Sequence, residues 1–237
     1  VEGKFEKNSI NIDRLIKTET PQGAISDGRI ISEDIIIDSL KKVIAQNQIK
    51  TKNIIFTTNS SQIINREILI PLVSKEEIET VIKFEIQQYL PINLDDYIIQ
   101  YLIIEEVLVD GNKKLKVNVT SFPEGMAHSY YKVINKLELT PLGLDVNYNS
   151  INKLANLSEC NSSNKHGSVA FVDIGATSIN ISIFKNRKLA FTRMIKVGGD
   201  RIDNDIQEEL NISIKATESI KIREVDILDT EERLNLV

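Results

Sequence analysis

The chain has 237 residues, 41% hydrophobic and 27% charged, which gives room for one large domain or two modest ones with a real interior. Its net charge of −5 argues against sequence-independent nucleic-acid binding. The single cysteine, Cys160, rules out an intramolecular disulfide and fits a reducing compartment. His128 and His166 stand far apart and near no cysteine, which leaves a zinc site or a nucleophile–histidine pair without support. No apolar run among these residues is long enough to span a bilayer, and none of them reads as a signal peptide. Val1 reads as if already inside a strand, so residues are expected upstream.

Residues 1–16 read as one or two short strands around a polar run at 6–9. A loop with glycine punctuation covers 20–28. Ser32 is placed to cap a helix in which Ile35, Ile36, Leu40, Val43 and Ile44 recur at helical spacing. Residues 53–58 read as a short buried strand, and 63–70 as another that Arg66 and Glu67 interrupt. Pro71 marks a boundary. Ser74 and Glu77 have the spacing of a capping box. The helix they open carries Ile78, Val81, Ile82, Ile86 and Tyr89 on one face and ends at Leu90 and Pro91. Residues 96–109 and 113–121 form a hairpin across the turn sequence V-D-G-N at 109–112, with Lys113, Lys114 and Lys116 flanking its tip as a solvated turn. A further helix opens at 123–125 and runs through Tyr130, Val133, Ile134 and Leu137. The order helix, strand, strand, helix makes a compact α+β unit. Residues 142–145 return as a strand, a helix through Ile151, Leu154 and Leu157 follows, and 156–167 form a polar linker.

The chain is organised around residues 169–199, read as strand, tight turn, strand, turn, strand and a glycine pair opening a helix. The apolar run 169–172 suits a buried strand ending at Asp173, and Ile179, Ile181 and Ile183 alternate with polar residues in the next. This order of parts suits phosphate chemistry. Gly175 admits backbone angles closed to other residues, so turn amides can converge on an anion. Thr177 and Ser178 supply hydroxyl donors, and Asp173 suits the water shell of a magnesium ion. Gly198 and Gly199 open a helix whose unpaired amide groups attract phosphate. The alternative is a surface hairpin with ordinary turn residues. In the helix after Gly199, Ile202, Ile206 and Leu210 mark the buried side; in the next, Glu218 and Lys221 share a face.

F-V-D-I-G-A-T-S-I-N-I at 171–181, followed by F-T-R-M-I-K-V-G-G-D-R-I at 191–202, resembles the second phosphate-loop segment of the actin-like ATPases. The resemblance is strongest to PilM, the family of actin-like proteins of type IV pilus assembly. P-Q-G-A-I-S-D-G-R-I at 21–30, R-E-I-L-I-P at 66–71, K-F-E-I-Q-Q-Y-L-P at 83–91 and L-G-L-D at 142–145 follow in the order and spacing of that family. The resemblance implies an α/β, actin-like (RNase H-like) two-lobed fold with an inserted α+β subdomain. Residues 1–71 and 142–160 would form the first lobe, 72–141 the insertion and 161–237 part of a second nucleotide-binding lobe, the chain being incomplete at both ends.

By the same resemblance, ATP and magnesium bind between the lobes. Asp173, Gly175, Thr177, Ser178, Gly198 and Gly199 would meet the phosphates, with Asp173 on magnesium through water. Glu218 and Lys221 match the Glu-x-x-Lys pair with which the seventy-kilodalton heat-shock chaperones contact the adenosine ribose. Asp203 stands where many relatives have threonine and would bring negative charge near the phosphates. A groove beside the insertion, lined by Phe84, Tyr89 and Tyr101, would take the N-terminal tail of the membrane protein PilN; the alternative is that these three are ordinary core aromatics, which their spacing does not separate from the groove. The implied protein is a cytoplasmic scaffold, with possible self-association and with the membrane reached only through its partner. No general base identifies itself, which favours binding and switching over turnover. Other readings are an FtsA-like filament former, whose amphipathic C-terminal helix residues 234–237 do not show, a small-molecule kinase of the same superfold, and an adaptor that has lost ATP.

Overall fold

The computed structural model describes residues 1–6, 9–89, 93–157, 167–186 and 188–224. The linker with Cys160 and His166, the helix stop at Leu90 and Pro91, and the C-terminal stretch therefore lie outside the described residues, as does the side chain of Tyr89. The chain divides into two compact units, Val1–Lys165 and His166–Val237.

In the first unit, β1 (Glu2–Glu6) and β2 (Ser9–Arg14) form an antiparallel hairpin, and β3 (Ile25–Ser26) and β4 (Arg29–Ile30) a shorter one. Helix α1 (Glu33–Gln46) has Ser32 at its N-cap position, but the Ser32 side chain makes no capping hydrogen bond. Glu33 and Asp34 supply the negative charge that a helix start favours instead. Strand β5 (Asn53–Thr58) pairs in parallel with β9 (Thr140–Val146). A parallel pair needs a crossover, and here the crossover carries a whole substructure. It comprises β6 (Ile64–Pro71), α2 (Ile78–Tyr89), β7 (Tyr97–Val109), β8 (Asn112–Pro123) and α3 (Glu124–Lys136). Helix α4 (Asn147–Leu157) follows β9.

The crossover sheet has the order β6-β8-β7, all antiparallel. Asp110 and Gly111 join β7 to β8 with φ of 50° and 76°, the two left-handed residues of a type I′ turn. Helix α2 covers one sheet face: Ile78, Ile82 and Ile86, one turn apart, bury against Ile70, Leu115, Val117 and Val119. The capping box is present in altered form. The Glu77 carboxylate accepts from the Ser74 amide at 3.1 Å, while the Ser74 hydroxyl donates to that carboxylate at 2.8 Å rather than accepting from the helix. Helix α3 binds the crossover to its surroundings through one stripe. Met126 and Tyr130 bury with Phe122 and Val146, and Val133 and Leu137 bury with Ala24, Ile36 and Ile37.

β5 is not a fully buried strand. Phe56 and Thr58 are turned inward, whereas Ile55 is exposed. Only the inward face meets the cluster around Tyr130, so an apolar run here reports composition rather than two covered faces.

The second unit is a meander of β10 (Ser168–Ile174), β11 (Ile179–Lys185) and β12 (Lys188–Ile195), followed by α5 (Gly199–Leu210) and α6 (Ile214–Glu224). Its covered sheet face is the opposite of the one expected. Ser182 and Phe184 are buried, and the Phe184 ring meets Phe171 edge-on at 5.6 Å, while Val172 and Ile174 lie exposed. The large aromatic ring decides which face closes, because it removes more apolar area than the isoleucines beside it.

Candidate functional site

The turn between β10 and β11 is closed by the Gly175 amide donating to the Ser178 carbonyl at 3.0 Å. Two of its other carbonyls, those of Gly175 and Ala176, are turned to the start of α5. The Gly199 amide donates to Gly175 O at 3.0 Å and the Asp200 amide to Ala176 O at 2.9 Å. This close approach explains the glycine at 198: a Cβ there would stand 2.3 Å from Ala176 O and 2.4 Å from Gly175 O. Gly175, Ser178, Gly198 and Gly199 thus form one backbone structure, drawn together from positions over twenty residues apart. The expectation of unpaired amides at this helix start is corrected, since the turn carbonyls already occupy those of Gly199 and Asp200. Thr177 is exposed on the turn, and Ser178 is half-buried. Asp173, directly opposite Asn180 in the strand pairing, accepts from the Asn180 amide nitrogen at 3.5 Å.

On α5 the buried residue is Asp203, 6% exposed, whereas Ile202 is 52% exposed and Leu210 is also exposed. The expected apolar stripe of that helix is therefore corrected. A carboxylate is buried when a partner reaches it, and here the partner is Lys221 of α6, with Nζ 2.6 Å from Asp203 Oδ2. The same ammonium donates to the Gly199 carbonyl at 3.4 Å. Asp203 Oδ1 is buried without a hydrogen-bond partner. Asp203 thus brings no bare charge to the turn; its charge is offset by Lys221. Glu218 is exposed, and no ion pair joins it to Lys221 among the described residues. Sequence reasoning missed this pairing because it links two helices and follows no local spacing.

The proposed groove residues separate differently. Phe84, 62% exposed, lies on α2 away from the stripe of Ile82 and Ile86. Tyr101, 39% exposed, is paired with Val119 and so shares the sheet face that α2 covers. Neither is a fully buried core aromatic. The opposite sheet face carries a polar network that sequence reasoning did not find. Asn65 donates to Asn118, Thr120 and Tyr148 at 2.9, 3.2 and 3.0 Å, tying α4 to the sheet. Burial raises the Tyr148 hydroxyl above the usual tyrosine range despite these bonds. Lys116 bridges Glu67 at 2.8 Å and Glu105 at 4.0 Å, so it is part of this face rather than a loose tip residue.

Asp145 sits at the junction of β9 and α4. Burial alone would raise its carboxyl, but bonds from Lys153, Asn149 and the Val146 amide outweigh this and hold it below the usual carboxylate value. Among the described residues, no cluster of His, Cys, Asp and Glu is arranged to hold a metal. No helix there is long and apolar enough to cross a membrane.

Comparison with known proteins adds four findings. The family model described as "Type IV pilus assembly protein PilM" matches residues 1–229. The solved PilM-PilN type IV pilus biogenesis complex superposes with a TM-score of 0.76 at 18% identity, covering 87% of this chain and 61% of that one. The cell division protein FtsA of Streptococcus pneumoniae (strain D39) is 24% identical over 224 residues, 84% of this chain and 47% of that protein. FtsA of Bacillus subtilis is 40% identical over 57 residues, 24% of this chain and 13% of that protein. The chain thus spans about half the length of the Streptococcus FtsA. With the family model covering nearly its whole length and the backbone matching a solved member, the chain has the actin-like fold and belongs to the PilM family of type IV pilus assembly proteins.

Proposed function

We propose that this chain is part of a cytoplasmic actin-like scaffold of type IV pilus assembly, one that binds ATP with magnesium and docks the N-terminal tail of a PilN-like inner-membrane protein. Residues 1–71 and 142–160 serve as the first lobe, 72–141 as the insertion and 161–237 as part of the second lobe. The carrying observation is the turn of Gly175 and Ser178 fastened by Gly198 and Gly199 to the start of α5, in a chain of this family. A turn held this rigidly presents the Thr177 and Ser178 hydroxyls as preorganised donors to phosphate oxygens. Asp173 holds the water shell of magnesium, which offsets phosphate charge. Glu218, exposed on α6, and Lys221 three residues on are the side chains offered to the adenosine ribose.

Phe84 supports the docking reading, because a large exposed aromatic side chain serves as an anchor for a partner segment. Tyr89 and Tyr101 complete the proposed groove. The likeness to FtsA favours a second reading, a filament former that self-associates along its lobes. A peptide of the PilN-like N-terminal tail, titrated into the complete protein, should bind and shift amide signals around residues 84–101. Phe84→Ala should weaken it by about 2 kcal/mol, roughly 30-fold, the size of a buried aromatic anchor. No binding, together with sedimentation of the protein into ATP-dependent filaments, would favour the FtsA-like reading. Shifts confined to residues 156–167 would place the partner site elsewhere.

A further inference from the structure

The α5–α6 contact holds a charge pair that the nucleotide reading does not require. Lys221 is bound to Asp203 Oδ2 at 2.6 Å and to Gly199 O at 3.4 Å, so its ammonium lies against the first turn of α5. That turn is itself held to the phosphate-type loop by Gly199 and Asp200 amides on Gly175 O and Ala176 O. The three elements are therefore fastened in series: α6 to α5 through the ion pair, and α5 to the loop through two backbone hydrogen bonds. The Asp203 carboxylate is 6% exposed and its Oδ1 has no hydrogen-bond partner among the described residues, where Lys221 is the cation that balances its charge. Removing one member of such a pair leaves an uncompensated, largely buried charge, whereas removing both leaves none.

We propose that Lys221 is a positioning residue: it acts as the counter-ion of Asp203, and the pair holds the start of α5 and the Gly175–Ala176 turn in register without Lys221 touching the nucleoside. This rests on the nucleotide reading above and alters it at one position, since the Glu-x-x-Lys resemblance assigns Lys221 to the adenosine ribose. The two assignments differ in what a neutral pair would do. If Lys221 is a counter-ion, replacing both charges together restores the turn and its affinity. If Lys221 contacts the ribose, restoring the turn leaves the affinity lost.

The test uses the complete protein with Lys221→Met, Asp203→Asn and the double variant. Hydrogen exchange is followed by mass spectrometry on peptides spanning residues 197–203, and ATP affinity by calorimetry with magnesium. Lys221→Met is expected to lose at least tenfold in exchange protection at the Gly199 and Asp200 amides and at least tenfold in ATP affinity. The double variant is expected to recover both to within about threefold of the unaltered protein. Recovery of protection without recovery of affinity would overturn the proposal and return Lys221 to the ribose. Unchanged protection in Lys221→Met would overturn it as well. Should the unaltered protein bind no ATP while the exchange pattern holds, the nucleotide reading falls and the positioning role of the pair stands. If Lys221→Met does not fold, Asp203→Asn and the double variant carry the same comparison: a double variant less protected than Asp203→Asn alone would overturn the proposal.

Discussion

Gly198→Ala puts the turn–helix junction to the test. A methyl group at this position would stand 2.3 and 2.4 Å from the Ala176 and Gly175 carbonyl oxygens and 2.6 Å from the Ala176 carbonyl carbon. These are backbone atoms, so relief requires moving the start of α5 off the turn by roughly 1 Å, the shortfall from ordinary carbon–oxygen contact. Such a shift takes the Gly199 and Asp200 hydrogen bonds from 3.0 and 2.9 Å beyond bonding distance. Losing two backbone bonds at about 1 kcal/mol each, with added strain of similar size, predicts a loss of about 2–4 kcal/mol in this unit. Fluorescence is the wrong probe, because there is no tryptophan and all six tyrosines lie within Val1–Lys165. Hydrogen exchange on peptides within residues 168–224 reads the loss directly, as a drop in protection of about 30-fold or more. Gly125→Ala is the control: nothing lies within 4 Å of its added methyl, and alanine inside α3 should be neutral or stabilising by up to about 1 kcal/mol. Protection in Gly198→Ala within twofold of the unaltered protein would refute the account of the junction.

Ile82→Ala should cost the first unit about 2–5 kcal/mol in urea unfolding followed by tyrosine fluorescence, because Ile82 is fully buried on the face of α2 that packs against the sheet. The matching Ile202→Ala, at a half-open position of α5, should change hydrogen exchange there little, and a large loss would contradict the burial of Asp203 in its place. The carboxyl of Asp145 titrates below its unfolded value of about 3.9, so its contribution is whole above that pH and is lost as the pH falls through the lower folded value. Asp145→Asn should therefore flatten the acid limb of stability in the first unit below about pH 4, and an unchanged slope there would remove Asp145 from the explanation.

Much of the first unit was legible because its signals are local. Ile78, Ile82 and Ile86 recur at one helical turn and do bury together, and Asp110-Gly111 offered the two left-handed residues that a tight hairpin demands. The actin-like fold was legible through motif order around Asp173, which periodicity alone would not have supplied. What escaped was whatever depends on a partner far along the chain. The Ile202, Ile206 and Leu210 spacing promised an apolar stripe on α5, yet Asp203 is the buried residue because Lys221 arrives from another helix to neutralise it. Apolar runs at 53–58 and 169–172 promised buried strands, yet a run does not say how many faces its sheet has covered. The Asn65, Asn118, Thr120 and Tyr148 network was invisible for the same reason, as its members come from three elements joined only by register. In the candidate site, residue types were readable in advance; the orientation of the turn carbonyls toward the helix amides was not.

The central claim is that the bend after Asp173 holds the phosphates of ATP through magnesium. Calorimetric titration of the complete protein with ATP, with and without magnesium, beside Asp173→Ala, tests it most directly. The account predicts magnesium-dependent binding that Asp173→Ala abolishes. Equal affinity in the two proteins, or binding indifferent to magnesium, would contradict it.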